Sequence, residues 1–219
     1  MSIAENIQRI RAHLPEGVKL VCVSKYHTEA EILEAYAVGE RDFGESRAQE
    51  LSLKAEHLPA DIRWHFIGHL QRNKARIVCR YASVIQSVDS LRLMETIDKE
   101  LTDRTVDILL EVHVAKESTK TGFAVDELLD MLQTGLYKQL HNIRIRGLMG
   151  MASLTDDTAQ IQQEFRSLRL LFDNIKQQYF TDEDAFDTLS MGMSDDYITA
   201  ITEGSTMVRI GSLIFGNRN

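Results

Sequence analysis

A lysine closes the string Leu20-Val21-Cys22-Val23-Ser24-Lys25, directly after a run that reads as buried strand. An ordinary lysine titrates at about 10.4 and is a poor nucleophile at neutral pH. Partial desolvation at a strand end lowers that value, and the freed amine can attack a carbonyl carbon to form an imine. The same position also suits a lysine that only marks where a strand emerges into water, so position alone leaves both readings open.

Two later segments offer a partner for such an amine: Ser190-Met191-Gly192-Met193-Ser194-Asp195-Asp196 and Met207-Val208-Arg209-Ile210-Gly211-Ser212. Gly192 lets the backbone turn sharply and approach a ligand with no Cβ in the way. Ser194 reads as the N-cap of a helix whose first N–H groups lack partners, which with its hydroxyl makes an anion site beside Met193. The plainer reading is an ordinary cap with Asp195 and Asp196 favoured by the helix dipole; those carboxylates repel an anion unless turned away. Gly211 and Ser212 add a second small turn. In V-R-I-G the strand period of two puts Arg209 on the face opposite Val208 and Ile210. If those aliphatics lie under helices, Arg209 points inward, where a guanidinium needs an acceptor. The candidates are a phosphate, a ring nitrogen, or a carboxylate such as Glu45 or Glu111.

Other chemistries find less support. His65 and His69 are four apart but lie in an expected strand, His113 lies in another, and no ligand spacing for a metal appears. There is no G-x-S-x-G nucleophile elbow. The turn after the first apolar string reads Ser24-Lys25-Tyr26-His27-Thr28 and carries no dinucleotide fingerprint.

These residues need positioning elements, and the hydropathy pattern supplies them. Strands are expected at 19–25, 41–45, 63–69, 83–88, 106–115, 143–152, 187–191 and 207–212. Between them helical periodicity covers 28–39, 46–57, 71–80, 90–102, 125–135, 156–178 and 195–203. Thr28, Asp89, Asp156 and Ser194 are the expected N-caps, with Gly39 at a C′ position. Eight strands alternating with helices predict an α/β fold, a single (β/α)8 TIM barrel spanning 1–219. An extra N-terminal helix, with Ile3, Ile7, Ile10 and Leu14 on one stripe, is expected to cap the barrel bottom. In such barrels ligands sit at the carboxyl ends of the strands, where the polar and glycine residues gather here.

Composition agrees with a globular protein: 43% apolar, 26% charged, two prolines and no linker. A net charge of −8 argues against a non-specific nucleic-acid surface. No apolar run approaches the roughly 20 residues that span a bilayer, and the N-terminus has no apolar h-region. Cys22 and Cys79 lie in apolar strings and read as buried thiols of a reducing compartment, so the protein is expected in the cytoplasm.

The strings V-S-K (23–25), F-G-E (43–45), W-H-F-I-G-H-L-Q-x-N-K (64–74), R-G-L-M (146–149), S-M-G-M-S-D-D (190–196) and G-S-T-M-V-R-I-G-S-x-I-F-G (204–216) together resemble the pyridoxal phosphate homeostasis proteins. The likeness runs from about residue 19 to the C-terminus. It implies the fold-type III barrel, similar to the N-terminal domain of alanine racemase, with pyridoxal 5′-phosphate as cofactor. Lys25 would carry it as a Schiff base, Ser194, Gly211 and Ser212 would hold the phosphate, and Arg209 would face the pyridine nitrogen. It further implies a role in vitamin B6 balance, with apo-enzymes dependent on pyridoxal phosphate as transient partners. With the barrel filling the chain, no second domain is expected to supply another acid or base, so robust catalysis is not expected. The alternative is a small racemase or lyase using Tyr26, His65 or His69 as proton donor. Two departures from the family pattern stand out. Ser46 replaces the family's asparagine after F-G-E, and Tyr26-His27-Thr28 replaces Thr-Lys-Pro after the lysine.

Overall fold

The computed structural model describes residues 2–115, 121–181 and 184–216. Its strands are β1 (Lys19–Val23), β2 (Asp42–Glu45), β3 (Arg63–Phe66), β4 (Ala82–Val88), β5 (Val106–Val112), β6 (Ile143–Gly150), β7 (Thr188–Ser190) and β8 (Met207–Ile210). Helix α1 (Ile3–Arg11) precedes them. The connections carry α2 (Glu29–Ala37), α3 (Ala48–His57), α4 (Ala75–Tyr81), α5 (Leu91–Glu100), α6 (Val125–Thr134), α7 (Thr158–Tyr179) and α8 (Tyr197–Thr202), and α9 (Ser212–Phe215) follows β8. All neighbouring strands are parallel, and β1 pairs with both β2 (Cys22↔Phe43) and β8 (Leu20↔Val208), which closes the sheet into a barrel in chain order.

The two faces of the sheet hold different populations, as the period of two requires. Leu20, Cys22, Phe43, Trp64, Phe66, Val208 and Ile210 face outward and join one apolar cluster with helix residues such as Ile7, Ile32, Leu51 and Val78. The alternate positions fill the interior. Val21, Leu109, Met149 and Met207 are buried there beside His65, Gln86, Glu111, Ser190 and Arg209. Branched aliphatics dominate the usual barrel core; this one carries a polar axis.

Several strands stop short of their expected ends, at Phe66, Val112, Gly150 and Ile210. Beyond those points the chain leaves the sheet to build the mouth, and the polar residues that ended each string belong to loops. Thr28 caps α2 with a full capping box, and Gly39 follows that helix at φ 101°. Two other caps are displaced by one residue. Ser90, not Asp89, accepts the Leu93 N–H, and Asp157, not Asp156, accepts those of Ala159 and Gln160. Each site offers two adjacent capping side chains, and the need to turn Leu93, Met94 and Ile97 or Phe165 and Leu168 inward selects between them. Ser194 caps no helix: residues 194–196 form a turn, and α8 starts at Tyr197. The expected helix at 71–80 is a 3-10 turn, Arg72–Lys74, leading into α4.

Helix α1 does not cap the barrel bottom. Its Asn6 amide donates to the Ile214 carbonyl past the carboxyl end of β8, and Arg11 pairs with Glu40 just before β2. The helix therefore runs down the outer wall beside α2 and α9, in the place an eighth crossover helix would take. Its apolar stripe says which face is buried but not which wall receives it.

Gly147 marks the tightest point of the sheet. It lies just after the register shift between β5 and β6, at φ 149°, and a Cβ there would sit 1.8 Å from the Thr188 carbonyl oxygen. Neither that backbone oxygen nor the φ angle tolerates a side chain. Gly147→Ala is expected to lower unfolding stability by about 3 kcal/mol. Denaturant midpoints would show this, and an unchanged midpoint would refute the account.

Candidate functional site

A cavity of about 410 Å³ opens at the carboxyl ends of the strands, within the size range of small-molecule sites. The end of β1 contributes Val23, Lys25 and His27. The loop after β7 contributes Met193, Ser194 and Asp195, and the end of β8 contributes Arg209, Gly211 and Ser212. Ile67 and Met151 provide apolar wall. Lys25, Met193, Ser194, Arg209, Gly211 and Ser212 are thus brought together as the sequence predicts. Gly192 does not line the cavity.

Lys25 faces inward because the alternation of β1 continues past its last residue: Val21 and Val23 point in, Cys22 and Ser24 point out. Residues Ser24 to His27 form a turn closed by the His27 N–H on the Ser24 carbonyl (3.0 Å). Tyr26 occupies its third position at φ 69°, which is left-handed for a residue with a side chain and costs about 1–2 kcal/mol. A buried cation on the outer side holds this turn. Lys54 of α3 donates to the Ser24 carbonyl (2.8 Å), to Glu45 Oε1 (2.8 Å) and to Glu50 Oε1 (2.7 Å). Glu50 in turn accepts the Tyr26 N–H, and the Ser24 hydroxyl donates to Glu45 (2.6 Å). Burial pushes the Glu45 carboxyl up to about 7, the Lys54 ammonium only partly opposing it. On the mouth side the His27 ring stacks on Phe215 (4.7 Å between centroids) and pairs with Glu31 (3.0 Å).

Arg209 points into the barrel as its alternation predicts, with 4% of its surface exposed. Its acceptors are neutral: Nη1 donates to Ser190 Oγ (2.6 Å) and Nη2 to the Gly150 carbonyl (3.0 Å). Neither carboxylate expected for it makes that contact. Glu45 projects to the other face of the sheet, where Lys54 takes it. Glu111 accepts the Thr121 hydroxyl (2.9 Å) on one oxygen, and its other oxygen is buried without a partner. Burial holds the Glu111 carboxyl above the usual range. Burial also lowers the Arg209 guanidinium to about 10, although Asp196 and Glu111 oppose that from a distance. A largely desolvated cation touched by no carboxylate among the described residues, lining a cavity, is matched to an electron-rich ligand.

The two turns across the opening differ in build. Asp196 folds back to accept the Met193 N–H (2.6 Å), so this carboxylate is committed to its own loop, while Asp195 lines the cavity edge. Ser194 lines the cavity from a turn rather than from a helix start. Gly192, at φ 97°, has a reason the sequence does not reveal: a Cβ there would lie 2.6 Å from the Ala200 Cβ, so it lets the loop pack on α8. At Gly211 a Cβ would stand 3.2 Å from the Val23 carbonyl, which keeps the start of α9 close to the lysine strand.

The histidines take up other tasks. His65 lies deep in the barrel, His69 pairs with Asp89 (3.4 Å), and His113 bonds the Ala115 carbonyl (2.8 Å). Among the described residues no group of three or more His, Cys, Asp or Glu could hold a metal. Among those residues, too, no helix is long and apolar enough to cross a membrane. His27, Glu50, Lys54, Gln86 and Ser190 escaped the sequence reading. Lys54, Gln86 and Ser190 are buried polar residues on a helix or strand, which shows only when both faces of each element are known.

The family model for the alanine racemase N-terminal domain matches residues 1–219. A curated relative from Synechocystis sp., named pyridoxal phosphate homeostasis protein, is 41% identical over 214 residues, covering 95% of each chain. The structure of PipY from Synechococcus elongatus without PLP superposes with a TM-score of 0.92 at 38% identity, covering 98% of this chain and all of that one. The same protein with PLP bound gives 0.89. An alanine racemase from Clostridium difficile shares the fold at 13% identity and a TM-score of 0.77; it matches 99% of this chain but 57% of its own.

The cluster behind the lysine turn makes two measurable claims. Lys54→Met strands Glu45, Glu50 and the Ser24 carbonyl, and is expected to cost about 3 kcal/mol of unfolding stability. Because Glu45 titrates higher folded than unfolded, the folded state holds its proton more tightly. Its contribution is present below about pH 4.5 and is lost as pH rises through about 7. Glu45→Gln should therefore flatten the fall in melting temperature across that window relative to the parent. Parallel profiles for the two proteins would count against the buried-carboxyl assignment.

Proposed function

The chain belongs to the pyridoxal phosphate homeostasis proteins, built on the alanine racemase N-terminal domain, and from that membership we propose that it binds pyridoxal 5′-phosphate through Lys25. We place its role in intracellular homeostasis and carriage of the cofactor, in one barrel unit spanning 1–219, without robust turnover of a substrate. The observation that carries this reading is the joint lining of one cavity by an amine (Lys25), two small turns (Ser194; Gly211-Ser212) and a buried guanidinium touched by no carboxylate.

The residues fit the group. Aldehyde, phosphate and ring nitrogen would each have a matching partner, and Gly211 packs so close to Val23 that a Cβ there would press on its carbonyl. When bound, pyridoxal 5′-phosphate supplies an aldehyde that condenses with a primary amine, releasing water, and a ring that can draw electrons. Lys25 is the amine, presented on a turn held from behind by Lys54 and Glu50. Ser194 and Ser212 supply hydroxyls toward the phosphate, with Gly211 giving close approach and Met193 covering one side. Gly192 shapes the loop that carries Ser194. Arg209 stays charged at neutral pH and can only donate, so a ring nitrogen opposite it keeps its lone pair. That weakens electron withdrawal and favours holding over turnover.

The alternative, a racemase or lyase, needs a proton donor at the cavity. Tyr26, His65 and His69, the sequence candidates, do not line it. His27 does, but its ring is engaged by Glu31 and Phe215. Two buried thiols outside any disulfide support a cytoplasmic setting, where apo-enzymes dependent on pyridoxal phosphate would be the recipients.

Purified protein given pyridoxal phosphate should develop a visible band, and borohydride should fix a pyridoxyl group on Lys25, read by peptide mass. Lys25→Ala should lose that adduct, and a parent without it in excess vitamer refutes the reading. Ser212→Ala should weaken pyridoxal phosphate about tenfold but leave the phosphate-free pyridoxal unchanged. Amino acids incubated in deuterated water should show no exchange at Cα above that caused by the vitamer alone; rapid exchange would establish the enzymatic alternative.

A further inference from the structure

The polar axis of the barrel forms one connected line. Arg209 Nη1 donates to Ser190 Oγ (2.6 Å), Ser190 Oγ donates to Gln86 Oε1 (2.7 Å), and Gln86 Nε2 donates to His65 Nδ1 (2.9 Å). His65 Nε2 then meets Asp42 Oδ1 (3.0 Å) near the opposite end of the barrel. The members come from β8, β7, β4, β3 and β2, each at an inward position. Ser190, Gln86, His65 and Arg209 are all buried.

The bonds along this line run in one sense. Arginine only donates, so the Ser190 oxygen accepts, and its single hydrogen is left for the Gln86 carbonyl. The Gln86 amide nitrogen faces His65, where it also approaches the Met207 sulfur (3.3 Å). His65 Nδ1 faces that amide, and Nε2 is aimed at Asp42. Burial disfavours ionised Asp42, but the bonds from His65 and Arg63 outweigh it and hold that carboxyl well below the usual range. A carboxylate at one end and a guanidinium at the other orient all the dipoles between them the same way.

We propose that Ser190, Gln86 and His65 are positioning residues for Arg209, anchored on Asp42, which fix the plane of the guanidinium and so decide which N–H groups it turns to the cavity. This rests on the reading of Arg209 as the group facing the cofactor's ring nitrogen. The Gly150 carbonyl restrains one nitrogen of the fork; the line restrains the other, and two fixed nitrogens define a plane.

The test uses pyridoxal phosphate labelled with 15N in the ring, bound to the full chain, with the ring-nitrogen shift as readout. In the parent and in Ser190→Thr, which keeps the hydroxyl, the shift should be that of a hydrogen-bonded neutral pyridine. Ser190→Ala and Gln86→Leu should move it and should lower affinity about tenfold, while borohydride still fixes the pyridoxyl group on Lys25. If Gln86→Leu does not fold, Ser190→Ala decides alone, since it removes one oxygen and no carbon. An unchanged shift in Ser190→Ala overturns the positioning role while leaving the binding site intact. A parent that takes up no label overturns the site itself.

Discussion

A positive charge buried in a closed sheet, with no negative charge in contact among the described residues, is the constraint around which the mouth of this barrel is organised. Isolated burial of a guanidinium is prohibitively unfavourable unless its donors are satisfied. Arg209 meets the requirement with a hydroxyl and a main-chain carbonyl. Neutral acceptors satisfy the hydrogen bonds and leave the charge itself uncancelled, which keeps its field available at the cavity. A carboxylate in the same place would have made a comfortable ion pair and a poor ligand site.

The sheet serves this purpose with both of its faces. Inward positions carry the aligned bonds from Arg209 to Asp42, and outward positions carry the Lys54 cluster behind the turn of Lys25. Strand alternation is what separates them: Ser24 and Glu45 lie on the helix side, Lys25 and Arg209 on the barrel side. The two polar systems never share a residue, yet they stand behind Lys25 and Arg209, which lie at the ends of strands paired directly to one another. Rigid support from a second layer of contacts is what holds a small-molecule site to useful geometry.

The parts of this arrangement that were legible in the sequence are those governed by local periodicity. Eight apolar strings with polar ends predict the barrel and its mouth. V-R-I-G predicts an inward Arg209, and LVCVSK predicts a lysine at the rim. What stayed hidden depends on partners distant along the chain. Lys54 looks like any lysine on an amphipathic helix until Glu45 and the Ser24 carbonyl are brought to it. Gln86 and Ser190 carry no signal, because an uncharged polar residue in a strand is ordinary on an exposed face. The start of α8 was misplaced because Ser194, Asp195 and Asp196 are all competent caps, and packing of Ala200 beneath Gly192 settles the choice. The stripe of α1 names a buried face without naming the surface that covers it, so the sequence does not distinguish the barrel bottom from the outer wall.

Closure of the barrel between its first and last strands has a consequence for how the protein comes into being. Lys19 to Cys22 pair with Met207 to Ile210, contacts between positions nearly the whole chain apart. Such pairings form late, since the loop they close is the longest available. On the ribosome β1 emerges early and waits for β8, so a nascent chain carries Lys25 long before the cavity lined by Arg209, Gly211 and Ser212 exists. The cavity at this seam is thereby completed only when synthesis of the barrel is finished.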